Sequence, residues 1–325
     1  TRLGVDRPHA RHLRADALDQ DPAEQVDRLH QDLTHAEPDL ALHQARIALR
    51  VRKTPTELLQ TVKCAAKSVA GLSARPEWET PYTGAFDFSA VDARKVRAFL
   101  DERQASLVPV FTTSFERRTW RIDISRKIAL WVMVDTGYVS SGDRIFPISE
   151  VELELVQGNP EDLLDFASAL ATHLPLVPHD VSKAERGYQL FLQQASCPQK
   201  ALPSPLNVKH SAAEAFRILA SQGMQTWQAN LMGTLTAQDE EFVHQFRVSL
   251  RRLNSLLKVF KPALPGRFQG RWTKQVKALS QITGDVRDLD VMRAGILEPM
   301  LQSADLSIRQ PAEAAVAALD QARRE

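Results

Sequence analysis

The chain has 325 residues, 43% apolar and 25% charged, with a net charge of +1. That length holds two cored domains, and the near-neutral balance gives no global field that would draw the chain to nucleic acid. Two cysteines, Cys64 and Cys197, exclude a disulfide framework or a cysteine zinc site and suit a reducing compartment. No apolar run reaches membrane-spanning length and no secretory signal is visible, so a cytoplasmic location without a membrane partner is expected.

The sequence begins at Thr1 and its first methionine is Met133, which leads us to expect a truncated, processed or otherwise incomplete N-terminus. Residues 1–37 are polar and rich in Arg, Asp and His, without strand alternation. They read as a solvated segment with at most a short helix over 23–33. From Ile47 the texture changes. Ile47-Ala-Leu-Arg-Val-Arg52 alternates and puts Arg50 and Arg52 on one face. Thr54-Pro55 turns the chain into a second strand, Leu58–Cys64, with Lys63 as its basic residue, making a hairpin with a loop of about five or six residues. Arg75, Glu77 and Glu79 share parity in the next run.

A charged surface helix is expected over 90–104. A long strand then covers 109–123 with Arg117, Arg118 and Trp120. Another strand covers 128–135, with Asp135-Thr-Gly137 as its turn. Glu150-Val-Glu-Leu-Glu154 follows. Period-two alternation puts Glu150, Glu152 and Glu154 on one strand face, where like charges repel unless cations sit among them. Either a solvated sheet face or a carboxylate row holding a hard divalent cation fits this pattern. Asn159-Pro160 caps a helix over 160–174, and Ser182 opens a short last one.

Basic and acidic residues on these strands can share one face. In a closed sheet they would give a charged lumen, which small barrels normally fill with apolar side chains. Arg and Lys suit phosphate oxygens, and a carboxylate row suits the metal that phosphate anhydrides need. Charges on the outer face of an ordinary sandwich are the other reading.

Cys197–Pro205 is a proline-rich linker by composition. Everything after it reads as helix: 211–232, 239–260, 271–282, a fourth from Asp288, and 311–324, together a bundle. In the second of these, His244, Arg247, Arg251 and Lys258 line one face, while Phe242, Phe246, Leu250, Leu253, Leu257 and Phe260 line another. Gly284 precedes an expected helix start at Arg287-Asp288. Aromatic residues do not interleave with the basic ones, so specific nucleic-acid recognition is not expected.

Six runs, in this order, carry a resemblance: Ala48-Leu-Arg-Val-Arg52 after Pro38-Asp-Leu-Ala-Leu, Leu59-Gln-Thr-Val-Lys63, Gly71-Leu-Ser-Ala-Arg-Pro-Glu-Trp78, Phe115-Glu-Arg-Arg-Thr-Trp120, Glu150-Val-Glu-Leu-Glu154 and Ser182-Lys-Ala-Glu-Arg-Gly187. Residues 38–195 thereby resemble the CYTH domain of bacterial inorganic triphosphatases, of the triphosphate tunnel superfamily. Residues 206–325 resemble the N-terminal half of a CHAD domain, through His244-Gln-Phe-Arg-Val-Ser-Leu-Arg-Arg252 and Gly284-Asp-Val-Arg-Asp-Leu-Asp290.

The implied fold class is α+β: an antiparallel β-tunnel over 38–195, a linker at 196–205 and an all-α helical bundle over 206–325. The resemblance implies an eight-stranded tunnel that binds inorganic triphosphate or another triphosphate through Arg50, Arg52, Lys63, Arg75 and Arg117. Lys183 and Arg186 would close it. Lys63 and Arg117 stand among the catalytic cations, and Glu150, Glu152 and Glu154 would hold Mg²⁺ or Mn²⁺. Inorganic polyphosphate is the implied partner of the helical half, at His244, Arg247, Arg251, Arg252, Lys258 and Arg287.

Two departures matter. CYTH tunnels open with a strand reading Glu-x-Glu-x-Lys, and residues 1–46 contain no such run, so the tunnel is expected to lack its first strand. Position 131, where many relatives carry an inward acid, is Trp131. Metal-dependent triphosphate hydrolysis therefore stands beside an alternative, a catalytically impaired triphosphate- or polyphosphate-binding protein. Adenylyl cyclase activity ranks below both, because nothing in the sequence selects a nucleobase.

Overall fold

The computed structural model describes residues 25–54, 56–64, 76–236 and 239–324. Its first element overturns one expectation. The polar stretch ahead of Ile47 holds a strand, β1 (Gln25–Ala36), where a solvated segment with at most a short helix was expected. Its residues from His30 onward explain the misreading. His30, Asp32 and Thr34 are buried together with His35, so this strand buries polar side chains rather than the apolar row that marks most strands.

A short helix α1 (Ala41–Gln44) leads into β2 (Ile47–Lys53) and β3 (Leu58–Cys64), and β4 (Glu77–Pro81) follows. Lys53 pairs with Leu58, so the hairpin loop is shorter than expected. After α2 (Arg94–Arg103) come three long strands, β5 (Val108–Ser125), β6 (Ile128–Ser141) and β7 (Arg144–Gln157). The expected turn at Asp135 is absent. β6 runs through it to Ser141, and the chain reverses at Gly142, whose φ of 57° suits glycine. Helices α3 (Pro160–Leu170) and α4 (Lys183–Phe191) complete this part. A capping box between Asn159 and Asp162 starts α3, and the Ser182 hydroxyl accepts from the Glu185 amide to start α4.

All seven described strands form one antiparallel sheet in the order β4-β3-β2-β1-β5-β6-β7. Two apolar clusters flank it. Leu42, Ile47, Leu49, Val62, Phe88, Val91 and Leu100 lie on the side covered by α2. Phe111, Phe115, Val139, Ile148 and Tyr188 hold α4 against β5 and β6. The close seat of α4 depends on Gly187, because a Cβ there would fall 2.2 Å from the Phe111 ring.

The chain divides into two compact units between Ala195 and Ser196. The second is helical: α5 (Ala212–Thr236), α6 (Glu240–Val259), α7 (Gly266–Met292), α8 (Glu298–Leu301) and α9 (Leu306–Arg324). Phe216, Phe246, Leu250, Leu257 and Val276 form its core. Helix α7 corrects another expectation. It begins before residue 271 and runs unbroken through Gly284, so Arg287 and Asp288 lie within it and start no new helix. The proline-rich linker is fastened to α5. Asn230 accepts from the Gln199 amide and donates to its carbonyl, and Gln222 donates to the carbonyls of Leu202 and Pro203.

Candidate active site

Strand alternation collects one set of charged side chains of the first unit on a single sheet face. At its β1–β4 side, Asp32 stands opposite Arg52 and Thr34 opposite Arg50. The Asp32 side chain is 3% exposed. It accepts from Arg50 Nη1 at 2.6 Å, from Arg52 Nε at 2.8 Å and from Arg52 Nη2 at 3.2 Å. Burial alone would raise its pKa, but the two guanidiniums outweigh burial and hold it below the usual carboxylate range. Lys63 pairs with Glu77 at 2.9 Å, and Arg50 and Arg52 approach Glu77 and Glu79 at 3.8 and 4.0 Å. Burial and the Arg50 charge push the Lys63 pKa down. Three cations are thus packed closely enough to disfavour one another, with Asp32, Glu77 and Glu79 set among them.

The β5–β7 side is acidic. Asp135, fully buried, lies opposite Arg117 on one neighbour and Glu150 on the other. Arg117 grips Asp135 in a fork, Nε to Oδ1 at 2.7 Å and Nη2 to Oδ2 at 2.6 Å, and also reaches Glu152 at 2.5 Å. Helix α4 adds two cations. Lys183 Nζ contacts Asp135 at 2.6 Å and Glu152 at 2.7 Å and also pairs with Glu150, while Arg186 pairs with Glu150. Burial works to raise the Glu152 pKa, but Lys183 and Arg117 outweigh it and hold it well below its ordinary value.

Oxygens of Asp135, Glu150 and Glu152 lie within 4.8 Å of one another. Three convergent hard carboxylates suit Mg²⁺ or Mn²⁺. Glu154 stands apart. It shares the strand face but lies opposite Trp131, is exposed, and is outside this group.

Of the expected phosphate contacts, Arg50, Arg52 and Lys63 come together on β2 and β3, and Arg117, Lys183 and Arg186 gather around the carboxylates. Arg75 lies outside the described residues. Three residues were missed by sequence reasoning. Asp135 is the inward acid that position 131 does not supply. Asp32 orients two arginines. His30 sits opposite Phe115, buried between the two charge groups. The alternation His30-x-Asp32-x-Thr34 was the available signal for β1.

The CYTH domain model matches residues 10–188. The chain belongs to the CYTH family. A CHAD domain model matches residues 218–325, so the helical unit carries a CHAD domain behind the CYTH domain. An inorganic triphosphatase of Haemophilus influenzae is 34% identical over 157 residues, 48% of this chain and 44% of the relative. The chain therefore aligns with less than half the length of that relative. Among solved structures, a Hippeastrum protein described as having a dominant triphosphatase activity is 17% identical, with a TM-score of 0.37 over 59% of this chain and 93% of that one. The RNA triphosphatase domain of a mimivirus mRNA capping enzyme is 9% identical, with a TM-score of 0.27 over 52% and 84%. Of the eight strands expected from the sequence motifs, seven are found among the described residues. β1 reads Gln25-Val-Asp-Arg-Leu-His-Gln-Asp-Leu-Thr-His-Ala36 and lacks the Glu-x-Glu-x-Lys pattern.

In the CHAD unit, His244, Arg247, Arg251 and Arg287 line one cavity of about 460 Å³ with Val248, Asn254 and Ser280. Arg247 is partly committed to structure, donating to the Ser280 carbonyl at 3.0 Å across to α7. Arg252 lines a neighbouring groove under the linker with Arg251, and Lys258 is exposed beyond both. Among the described residues no helix is long and apolar enough to cross a membrane.

Proposed function

We propose that the CYTH domain hydrolyses inorganic triphosphate or a related triphosphate, with a divalent metal at Asp135, Glu150 and Glu152. One observation carries this reading. A group of cations (Arg50, Arg52, Lys63) and a group of three carboxylates share one sheet face, joined by Arg117, which reaches two of those carboxylates. A polyphosphate chain with its metal needs such opposed ends. The Nε atoms of Arg50 and Arg186 support it further, since both are buried donors without a partner and anionic oxygens would satisfy them.

In this reading Arg50, Arg52 and Lys63 bind phosphate oxygens away from the carboxylates, and Asp32 fixes the fork of the two arginines. Arg117 stabilises charge as it develops on the transferred phosphoryl group. Lys183 and Arg186 close the site from α4. Bound Mg²⁺ or Mn²⁺ would supply Lewis acidity and a water of lowered pKa at the acidic end. The CHAD domain binds inorganic polyphosphate through His244, Arg247, Arg251 and Arg287, with Arg252 and Lys258 extending the basic surface.

The absence of a Glu-x-Glu-x-Lys run from residues 1–46 supports the second reading, a binding protein with weakened hydrolysis. Phosphate release from tripolyphosphate, with Mg²⁺ and Mn²⁺ in parallel and Glu152→Gln as control, separates the two. Metal-dependent release lost in the variant is the expected result. No release from folded protein that still binds tripolyphosphate would establish the binding reading instead.

A further inference from the structure

The least explained group on the charged face is His30. The residue is 8% exposed, and neither Nδ1 nor Nε2 has a hydrogen-bond partner. A buried polar nitrogen left without a partner is costly. Space-filling gives no reason to bear that cost, because an apolar side chain of similar size would fill the place without it.

Its surroundings point to a ligand. The ring stacks on Phe115 with centroids 5.0 Å apart and planes 14° from parallel, so it cannot swing away without losing that contact. Two cations gather at the same phenyl ring, the Arg117 guanidinium 5.5 Å from its centroid and the Lys183 ammonium at 5.1 Å. The charged groups acting on the imidazole are Arg52 on β2, Asp32 on its own strand, Arg117 on β5 and Asp135 on β6. Burial, with Arg52 and Arg117, pushes its pKa down to about 4. The ring is therefore neutral near pH 7. It carries one N–H donor without adding a cation that would repel the arginines.

We propose that His30 is a substrate-contacting residue of the tunnel, donating an imidazole N–H to a phosphate oxygen held between Arg52 and Arg117. This rests on the triphosphate reading above. It assigns the middle of the bound anion a neutral donor, where the two ends are met by cations and by the carboxylate group.

The test is a titration of the full chain with tripolyphosphate in EDTA, followed by NMR. The backbone amides of Lys63 and Asp135 report occupancy of the tunnel. The His30 ring nitrogens report contact and are assigned by their loss in His30→Gln. Wild type, His30→Gln, which keeps an N–H donor, and His30→Leu, which has none, are compared after thermal melts confirm that each is folded. We expect the amides and the ring nitrogens to shift together. His30→Leu should weaken binding roughly ten- to hundredfold, and His30→Gln by about threefold or less. If the amides shift while the ring nitrogens do not, or if folded His30→Leu binds like wild type, the assignment is overturned and the triphosphate reading stands. If no tunnel resonance of the wild type responds in EDTA or after Mg²⁺ is added in excess, the triphosphate reading fails and takes the assignment with it.

Discussion

Asp32 and Arg52 face each other across β1 and β2 in a two-point contact, 2.8 and 3.2 Å long, and the same carboxylate also holds Arg50. Asp32 is thus the internal counter-ion of two arginines. Asp32→Asn should leave two largely buried guanidiniums undercompensated, at a cost of about 3–5 kcal/mol. Tripolyphosphate should restore more stability to the variant than to wild type, because it replaces the missing charge. Thermal melts with and without the anion check this, and equal shifts for both proteins would contradict it.

Asp135 and Glu154 should separate cleanly. Asp135 belongs to the convergent carboxylate group and Glu154 does not. Asp135→Asn is expected to lower metal-dependent phosphate release by about a hundredfold or more. Glu154→Gln should stay within about twofold of wild type. Comparable losses in both variants would mean that all of the Glu150–Glu154 row takes part.

Acid should uncover the Glu152 contribution to stability. Its folded-state pKa lies below its ordinary value of 4.5 because Lys183 and Arg117 outweigh the effect of burial. A depressed folded pKa contributes stability that is complete above about 4.5 and is lost as pH falls below it. The melting-temperature gap between wild type and Glu152→Gln should therefore be widest near pH 7 and shrink toward pH 3. A gap that stays constant over that range would rule out this linkage.

Helix α4 brings Lys183 and Arg186 to the carboxylates, and its seat depends on Gly187 against Phe111. Gly187→Ala should cost about 1–3 kcal/mol through overpacking. It should also reduce phosphate release by more than its thermal destabilisation accounts for, since two site cations move with the helix. Activity unchanged at a temperature where the variant is fully folded would show that α4 tolerates displacement.

In the CHAD domain, Arg251 is exposed at its cavity while Arg247 ties α6 to α7. Arg251→Ala should weaken polyphosphate binding and flatten its salt dependence without moving the melt. Arg247→Ala should lower both binding and stability. Gel-shift affinities at two salt concentrations, with melts alongside, distinguish the two roles.

Much of the architecture is legible in the sequence, because β2 and the first half of β5 follow the alternation that one buried face imposes, and β7 alternates Glu with Val and Leu. The misreadings share a physical origin. Asp135-Thr-Gly137 looks like a turn because Asp and Gly favour turns. Gly137 is instead required by close backbone approach, since a Cβ there would lie 2.1 Å from the Ser114 carbonyl. β1 escapes recognition because its inner face is polar, with its partners waiting on β2. Gly284 suggests a helix boundary, yet α7 continues through it and lets Arg247 pass close by, 3.3 Å from where a Cβ would be. In each case a tertiary neighbour, invisible to local pattern, decides the outcome.

The strand order also sets a sequence of assembly. β1 to β4 form one up-and-down meander and β5 to β7 another, each built by pairing chain neighbours. Among the described strands, only the β1–β5 pairing joins them, linking residues such as Asp32 and Thr113 that are far apart in the chain. Closing that long loop is the entropically expensive step and should come late in folding. The cations of Arg50, Arg52 and Lys63 belong to the first meander, and the carboxylates of Asp135, Glu150 and Glu152 to the second. Neither half-sheet alone carries both groups, so if the proposed site is right, triphosphate affinity should arise only in the last kinetic phase, when the seam between β1 and β5 zips shut.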